Sequence, residues 1–192
     1  NGIYDGIINT HCNMLVGVGP TLRMLTKNRS FNQLVEREFF AWSERVQLRR
    51  KLWAMAHSRT GDGESFAVLQ SNPAFPGVQL DFQPIEPEQC QTPYGSYEKN
   101  GIVDGIRYDQ FNNIIAYDIL PYHPGASFQI QSMDAETVPA STVLHWFKLK
   151  RPGAHRGIPD CTSSLGVGAK SRRHREATVA AAETAANLSA IS

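Results

Sequence analysis

Six histidines, at positions 11, 57, 123, 145, 155 and 174, and three cysteines, Cys12, Cys90 and Cys161, are the residues of this chain best suited to metal ligation or nucleophilic attack. Their spacing argues against both. No His-x-x-x-His or Cys-x-x-Cys occurs, so no single element offers two ligands to one ion. A nucleophile needs a base and an orienting group beside it. No serine or cysteine stands in a recognisable frame of that kind, Gly-x-Ser-x-Gly included. His123 precedes Pro124 and Gly125 and reads as a turn residue. His145, beside Trp146, sits in an alternating run and reads as a strand histidine with a satisfied hydrogen bond. Glu86 and Glu88 flank Pro87 and read as a solvated loop. The run from Gly166 to Ser171 looks like a phosphate loop at first, but Ala169 separates Gly168 from Lys170, where the cradle needs Gly and Lys adjacent. The expectation is a chain with no catalytic residue, no metal and no cofactor.

Composition sets the frame for these residues. The chain has 192 residues, 41% of them hydrophobic, with 19 Lys and Arg against 18 Asp and Glu. That is one domain, or one domain with an appendage, and it excludes collagen, a coiled-coil rod and a wholly disordered chain. The near-neutral total selects no partner, but the distribution is polarised. Residues 148–175 hold eight bases (148, 150, 151, 156, 170, 172, 173 and 175) against Asp160 alone. Between Asp81 and Asp118 the balance reverses, with Lys99 and Arg107 the only bases. We expect the basic stretch to pack towards the acidic one, in the same chain or in a neighbour. Lys170, Arg172, Arg173 and Arg175 form the candidate nucleic-acid or subunit contact. Arginines there can meet phosphates, no aromatic interleaves for base stacking, and solvated helix surface is the plainer alternative. No stretch approaches the ~18 apolar residues of a membrane span. The start lacks the features of a signal peptide. Three scattered cysteines suit a reduced, intracellular setting. The Asn at position 1 and the helical pattern still running at the end suggest a piece of a longer chain.

Several elements must carry these residues. Ile3, Ile7, Ile8 and Leu15 recur at helical spacing over residues 1–16, up to Gly17. Residues 21–26 read as a short strand. Ser30 reads as the cap of a long helix, or of two helices bent near Gln47, ending before Gly61. Its stripe of Phe31, Val35, Phe39, Trp42, Val46, Trp53 and Ala56 reads as core. The period then drops to two. Residues 64–70 and 78–82 read as neighbouring strands. Residues 89–100 read as a loop and 101–119 as a hairpin turning through 110–113. Residues 127–131 and 142–149 are further strand candidates. Residues 153–159 read as a loop, with Pro159 opening or preceding a helix. Residues 170–190, rich in Ala, Arg and Glu, favour helix. The expected fold is α+β, with helices packed on a mostly antiparallel sheet and a long C-terminal helix.

A set of spaced fragments carries more. Residues 61–66 read Gly-Asp-Gly-Glu-Ser-Phe, and 79–87 read Gln-Leu-Asp-Phe-Gln-Pro-Ile-Glu-Pro. Residues 101–109, Gly-Ile-Val-Asp-Gly-Ile-Arg-Tyr-Asp, lead into 115–119, Ile-Ala-Tyr-Asp-Ile. His123-Pro124-Gly125 follows, then Val138-Pro139-Ala140 with Val143-Leu144-His145. Last come Arg151, Pro152, Gly153, Arg156, Gly157 and Pro159, spaced as R-P-G-x-x-R-G-x-P. This order resembles the lambda-type family of tailed-phage portal proteins, over nearly the whole chain. Arg107 stands where that family has an acid, Asn112-Asn113 where it has a Gly-Arg-type turn, and 161–168 is rich in Gly and Ser where it is Leu-rich.

The resemblance implies a structural part. Residues 1–158 would be the wing-like α/β body and 159–192 the connector and the start of the stem helix, with clip, remaining stem and crown lying beyond. His123, Pro124, Gly125, His145, Arg151, Pro152, Gly153, Arg156, Gly157 and Pro159 would be structural motif residues. The chain would belong to a homo-oligomeric ring, commonly of twelve subunits, at the portal vertex of the virion, assembled in the host cytoplasm. Double-stranded DNA would pass through its channel. The terminase large subunit, the capsid and head-completion proteins would be its partners. A small hydrolase with scattered active-site residues is the remaining competitor, and a Ser–His or Cys–His pair in a pocket would be its mark.

Overall fold

The computed structural model describes residues 2–92, 101–125 and 134–189. The chain forms two units, Asn1–Pro159 and Asp160–Ser192.

The first unit opens with α1 (Gly2–Val16), which turns its Ile8 and Cys12 onto Ala56. No strand forms at residues 21–26. There the Met24 N–H bonds the Glu36 side chain at 2.8 Å, so this backbone is satisfied by a helix instead of a sheet. Helix α2 (Arg29–Arg45) is capped by Asn28, not Ser30. The Asn28 side-chain oxygen accepts the Phe31 N–H at 3.1 Å, which fixes the helix start one residue before the serine. The bend expected near Gln47 is a full break. Gln47 takes a left-handed conformation, φ 54°, and α3 (Leu48–Gly61) starts after it. The aromatic stripe is core only at its C-terminal end. Val46 and Ala56 are buried and Phe39, Trp42 and Trp53 pack at the margin, whereas Phe31 stays 47% exposed.

Two antiparallel sheets follow. The first has the order β2 (Leu80–Ile85), β1 (Glu64–Ser71), β7 (Val143–Phe147). The second has the order β3 (Ile102–Val103), β4 (Ile106–Tyr108), β5 (Ile114–Ile119), β6 (Glu136–Pro139). Strands β3 and β6 were not legible as such in the sequence, whereas the β4–β5 hairpin was. Its turn is held by the Asp109 carboxylate, which accepts the Phe111 and Asn113 N–H groups at 2.8 Å each. The strand candidate at 127–131 and most of the loop at 89–100 lie outside the described residues. Strand β1 is covered on both faces, which explains its unbroken apolar run. Phe66 and Val68 point to Ile106, Tyr117 and Ile119 of the second sheet. Ala67 and Leu69 point to Val46, Leu48 and Met55 of the helices.

The second unit is a short 3₁₀ turn (Thr162–Ser164) running into α4 (Leu165–Ser189). This helix starts five residues before the expected 170. Gly166 and Gly168 are accommodated in its first turn, where they cost helix propensity but meet no obstruction. At 25 residues it is about 37 Å long. The phosphate-loop look-alike at 166–171 is therefore helix, with no loop to cradle an anion.

Candidate functional site: a buried arginine clamp

The loop after β7 carries a half-buried guanidinium. Arg156 has five N–H hydrogens, and all three of its nitrogens are engaged. Nε and Nη2 both reach Glu64 Oε1 at 2.7 Å. Nη1 donates to the carbonyls of Cys90 at 2.8 Å and Asp104 at 2.7 Å. Nη2 also donates to the Pro87 carbonyl at 2.9 Å. The guanidinium lies over the Phe66 ring, 5.2 Å from its centroid. One side chain thus ties the start of β1, the turn after β2 and the β3–β4 turn together.

Glu64 is the counterpart. Its other oxygen accepts the His145 Nε2–H at 3.1 Å and the Gly157 N–H at 2.9 Å. Burial alone would raise its carboxyl. The bonds from His145, Gly157 and Arg156 outweigh burial and hold it below the usual range. Because Glu64 is an acceptor, the His145 proton sits on Nε2, and Nδ1 faces the Tyr117 hydroxyl at 3.5 Å. The His145 ring is stacked on Phe66, 4.1 Å between centroids. It is a satisfied strand histidine, as expected.

Backbone packing closes the clamp. A β-carbon on Gly157 would fall 2.2 Å from the Gly63 carbonyl oxygen. Gly63 itself has φ +102°, and a β-carbon there would meet Ile158 and Pro159 backbone at 2.5 Å. Gly157 is thus needed for close approach. Gly153 is needed for a different reason: φ +74° in an open turn. Of the remaining motif residues, Pro159 shares in this packing through its backbone and the others do not. Arg151 and Pro152 are exposed, the Arg151 carbonyl accepting the Ala154 N–H at 3.2 Å. Pro159 offers its carbonyl to Lys150 Nζ at 3.4 Å. His123, Pro124 and Gly125 form a separate turn. Lys170, Arg172, Arg173 and Arg175 are exposed on α4, where Arg172 meets Glu176 at 3.7 Å.

Among the described residues no ion pair joins basic 148–175 to acidic 81–118. Arg156 takes carbonyls of that segment, while its carboxylate, Glu64, lies outside it. Glu64 escaped the sequence reading, although an acid opening an apolar strand between Gly63 and Phe66 was the available signal. A second buried acid escaped too. Asp118 is fully buried and receives Arg107 Nε at 2.8 and 2.9 Å and Thr137 Oγ1 at 2.8 Å. Arg107, which departs from the family pattern, is thereby paired across the β4–β5 hairpin.

The chemistry available is limited. Every Glu64 and Arg156 contact is internal, so neither has a polar atom left to aim at a substrate. Burial pushes the Cys90 thiol up to about 12, despite Arg156, and raises the Cys12 thiol as well. Neither is an activated nucleophile. Among the described residues no hydrogen bond joins a histidine to a serine or cysteine. Glu86, Glu88 and His123 bring one ligand atom each within 4.8 Å of one another. Yet His123 Nδ1 accepts the Gly125 N–H at 2.9 Å, which places its proton on Nε2, 3.0 Å from Glu86. Metal on Nε2 would force that proton to Nδ1, against the Gly125 N–H. The trio is better described as a hydrogen-bonded loop tie. No described helix is long and apolar enough to cross a membrane.

Comparison with protein families matches residues 1–192 to the phage portal protein, lambda family. No curated protein matches the chain.

Proposed function

This chain belongs to the lambda family of phage portal proteins, and from that premise we propose that it is a structural subunit of the head–tail connector ring through which phage DNA is packaged and ejected. The terminase motor docks on that ring and supplies the chemistry. In this reading residues 1–158 are the wing-like body and 159–192 the connector and start of the stem helix. Capsid and head-completion proteins are the other neighbours at the portal vertex of the virion. The observation that supports the reading is the clamp. The motif residues that could do chemistry, Arg156 and His145, spend their polar atoms on holding loops to strands. A part that keeps shape under load needs that, and needs no turnover. Electron microscopy of the full-length protein tests it. Rings with a central hole are expected, and monomers at all concentrations would overturn the reading.

The exposed bases of α4 favour a second reading, a nucleic-acid-binding module using residues 170–175. It requires the isolated monomer to bind duplex DNA with a steep salt dependence. Neutralising Arg172, Arg173 and Arg175 should then lower the slope by roughly one for each arginine removed. Salt-insensitive or absent binding leaves the ring reading alone.

A further inference from the structure

The segments that follow the two outer strands of the first sheet carry opposite charges. Glu64, which opens β1, lies opposite Phe147, which closes β7, and Phe66 lies opposite Ile85, which closes β2. The chain therefore leaves β2 and β7 at one end of the sheet, but on its two opposite edges.

Past β2 come Glu86 and Glu88, both exposed. They rim a cleft of about 500 Å³ that also holds Asp62 and is walled by Trp53, His57 and Ile85. Among the described residues Glu86 pairs with His123, and Glu88 makes no ion pair. Past β7 come Lys148, Lys150 and Arg151. Lys150 is turned onto the Ile158 and Pro159 carbonyls. Arg151 is exposed, and its guanidinium meets no acid among the described residues. Its motif companion Arg156 is committed to Glu64 and three carbonyls, whereas Arg151 is an exposed guanidinium beside the exposed Lys148 and Lys150.

A closed ring of identical subunits is head-to-tail, and each subunit needs two different patches that fit each other. An acidic and a basic patch on opposite edges of one sheet satisfy this, because stepping to the next subunit carries one edge against the other. An apolar, aromatic wall beside the carboxylates suits a guanidinium better than an ammonium. We infer that Arg151 of one subunit docks at the Glu86–Glu88 rim of a second copy of this chain. The inference rests on the ring reading proposed above.

Charge exchange in the full-length protein tests it, with mass photometry reading the ring fraction against concentration. Arg151→Glu and Glu88→Arg alone each set like charges face to face. Each should raise the concentration for half-assembly at least about tenfold, the equivalent of about 1.4 kcal/mol. The double exchange should return it to near wild type. Mixing the two single variants should also restore rings, since alternating subunits then meet only opposite charges, and this result excludes misfolding as the cause of the defect. Singles that assemble like wild type, or a double exchange and a mixture that both stay defective, overturn the contact. A wild-type protein that forms no rings overturns the ring reading itself, which is a separate result.

Discussion

Residues 151–159 and 170–175 are both basic, yet they meet opposite fates. In the first, Arg156 is held by one carboxylate and three carbonyls, with all three of its nitrogens engaged. In the second, Arg172 has a long surface ion pair with Glu176, and its neighbours face solvent. The difference teaches that charge alone does not decide what an arginine does here. A turn that meets three carbonyls from two loops and a carboxylate at one point makes a structural arginine. An exposed position on a helix leaves it in solvent.

The sharpest way to break this comparison is to remove half of the clamp. Arg156→Ala leaves the buried Glu64 carboxylate without its guanidinium, which should cost about 3–5 kcal/mol. Glu64→Ala should cost less, because the half-buried Arg156 keeps its three carbonyls. Urea unfolding would measure it, and a loss under about 1 kcal/mol would put Arg156 in the same class as Arg172. Gly157→Ala should come next, at roughly 1–3 kcal/mol, because the added carbon collides with the Gly63 carbonyl. Gly153→Ala, strained but unobstructed, should cost about 1 kcal/mol.

Acid should act on the clamp and spare α4. Glu64 is held below its ordinary value by His145, Gly157 and Arg156 against burial. Asp81 is also held low, by the Lys51 ammonium at 2.5 Å and the Phe82 N–H against burial. A depressed folded value means stability that is complete above the unfolded value, near pH 4. That stability is lost as pH falls through the folded values. Unfolding followed from pH 6 down to pH 2 should show the decline, and Glu64→Gln should flatten it. The smallest effect belongs to α4. Arg172→Ala and Arg173→Ala should change stability by no more than about 0.5 kcal/mol, and a larger change in a thermal melt would mean that those side chains pack on something.

Much of the fold was legible from periodicity. Helix α1, the helical stretch from 30 to 61 with a bend near Gln47 as one of its two readings, the β1–β2 pair, the β4–β5 hairpin and β7 follow from spacing and turn residues. The cap of α2 was misplaced by two residues, because Asn28 and Ser30 are both good caps and only the backbone path chooses. The strand expected at 21–26 failed because a strand needs a partner, and Glu36 took the Met24 N–H instead. The start of α4 was placed late because glycines and serines at 162–168 look like loop, while nothing in their surroundings forbids the helix.

The amino-acid sequence by itself determined most of the element types, the polarised charge and the spaced motif that marks the portal family, since these depend on side-chain type and local spacing. Only the tertiary structure decided that Arg156 belongs to Glu64, 92 residues away, that Asp118 belongs to Arg107, and that Gly157 must be bare. Such pairings are made by loops meeting across two sheets, and no local rule carries the position of one loop relative to another.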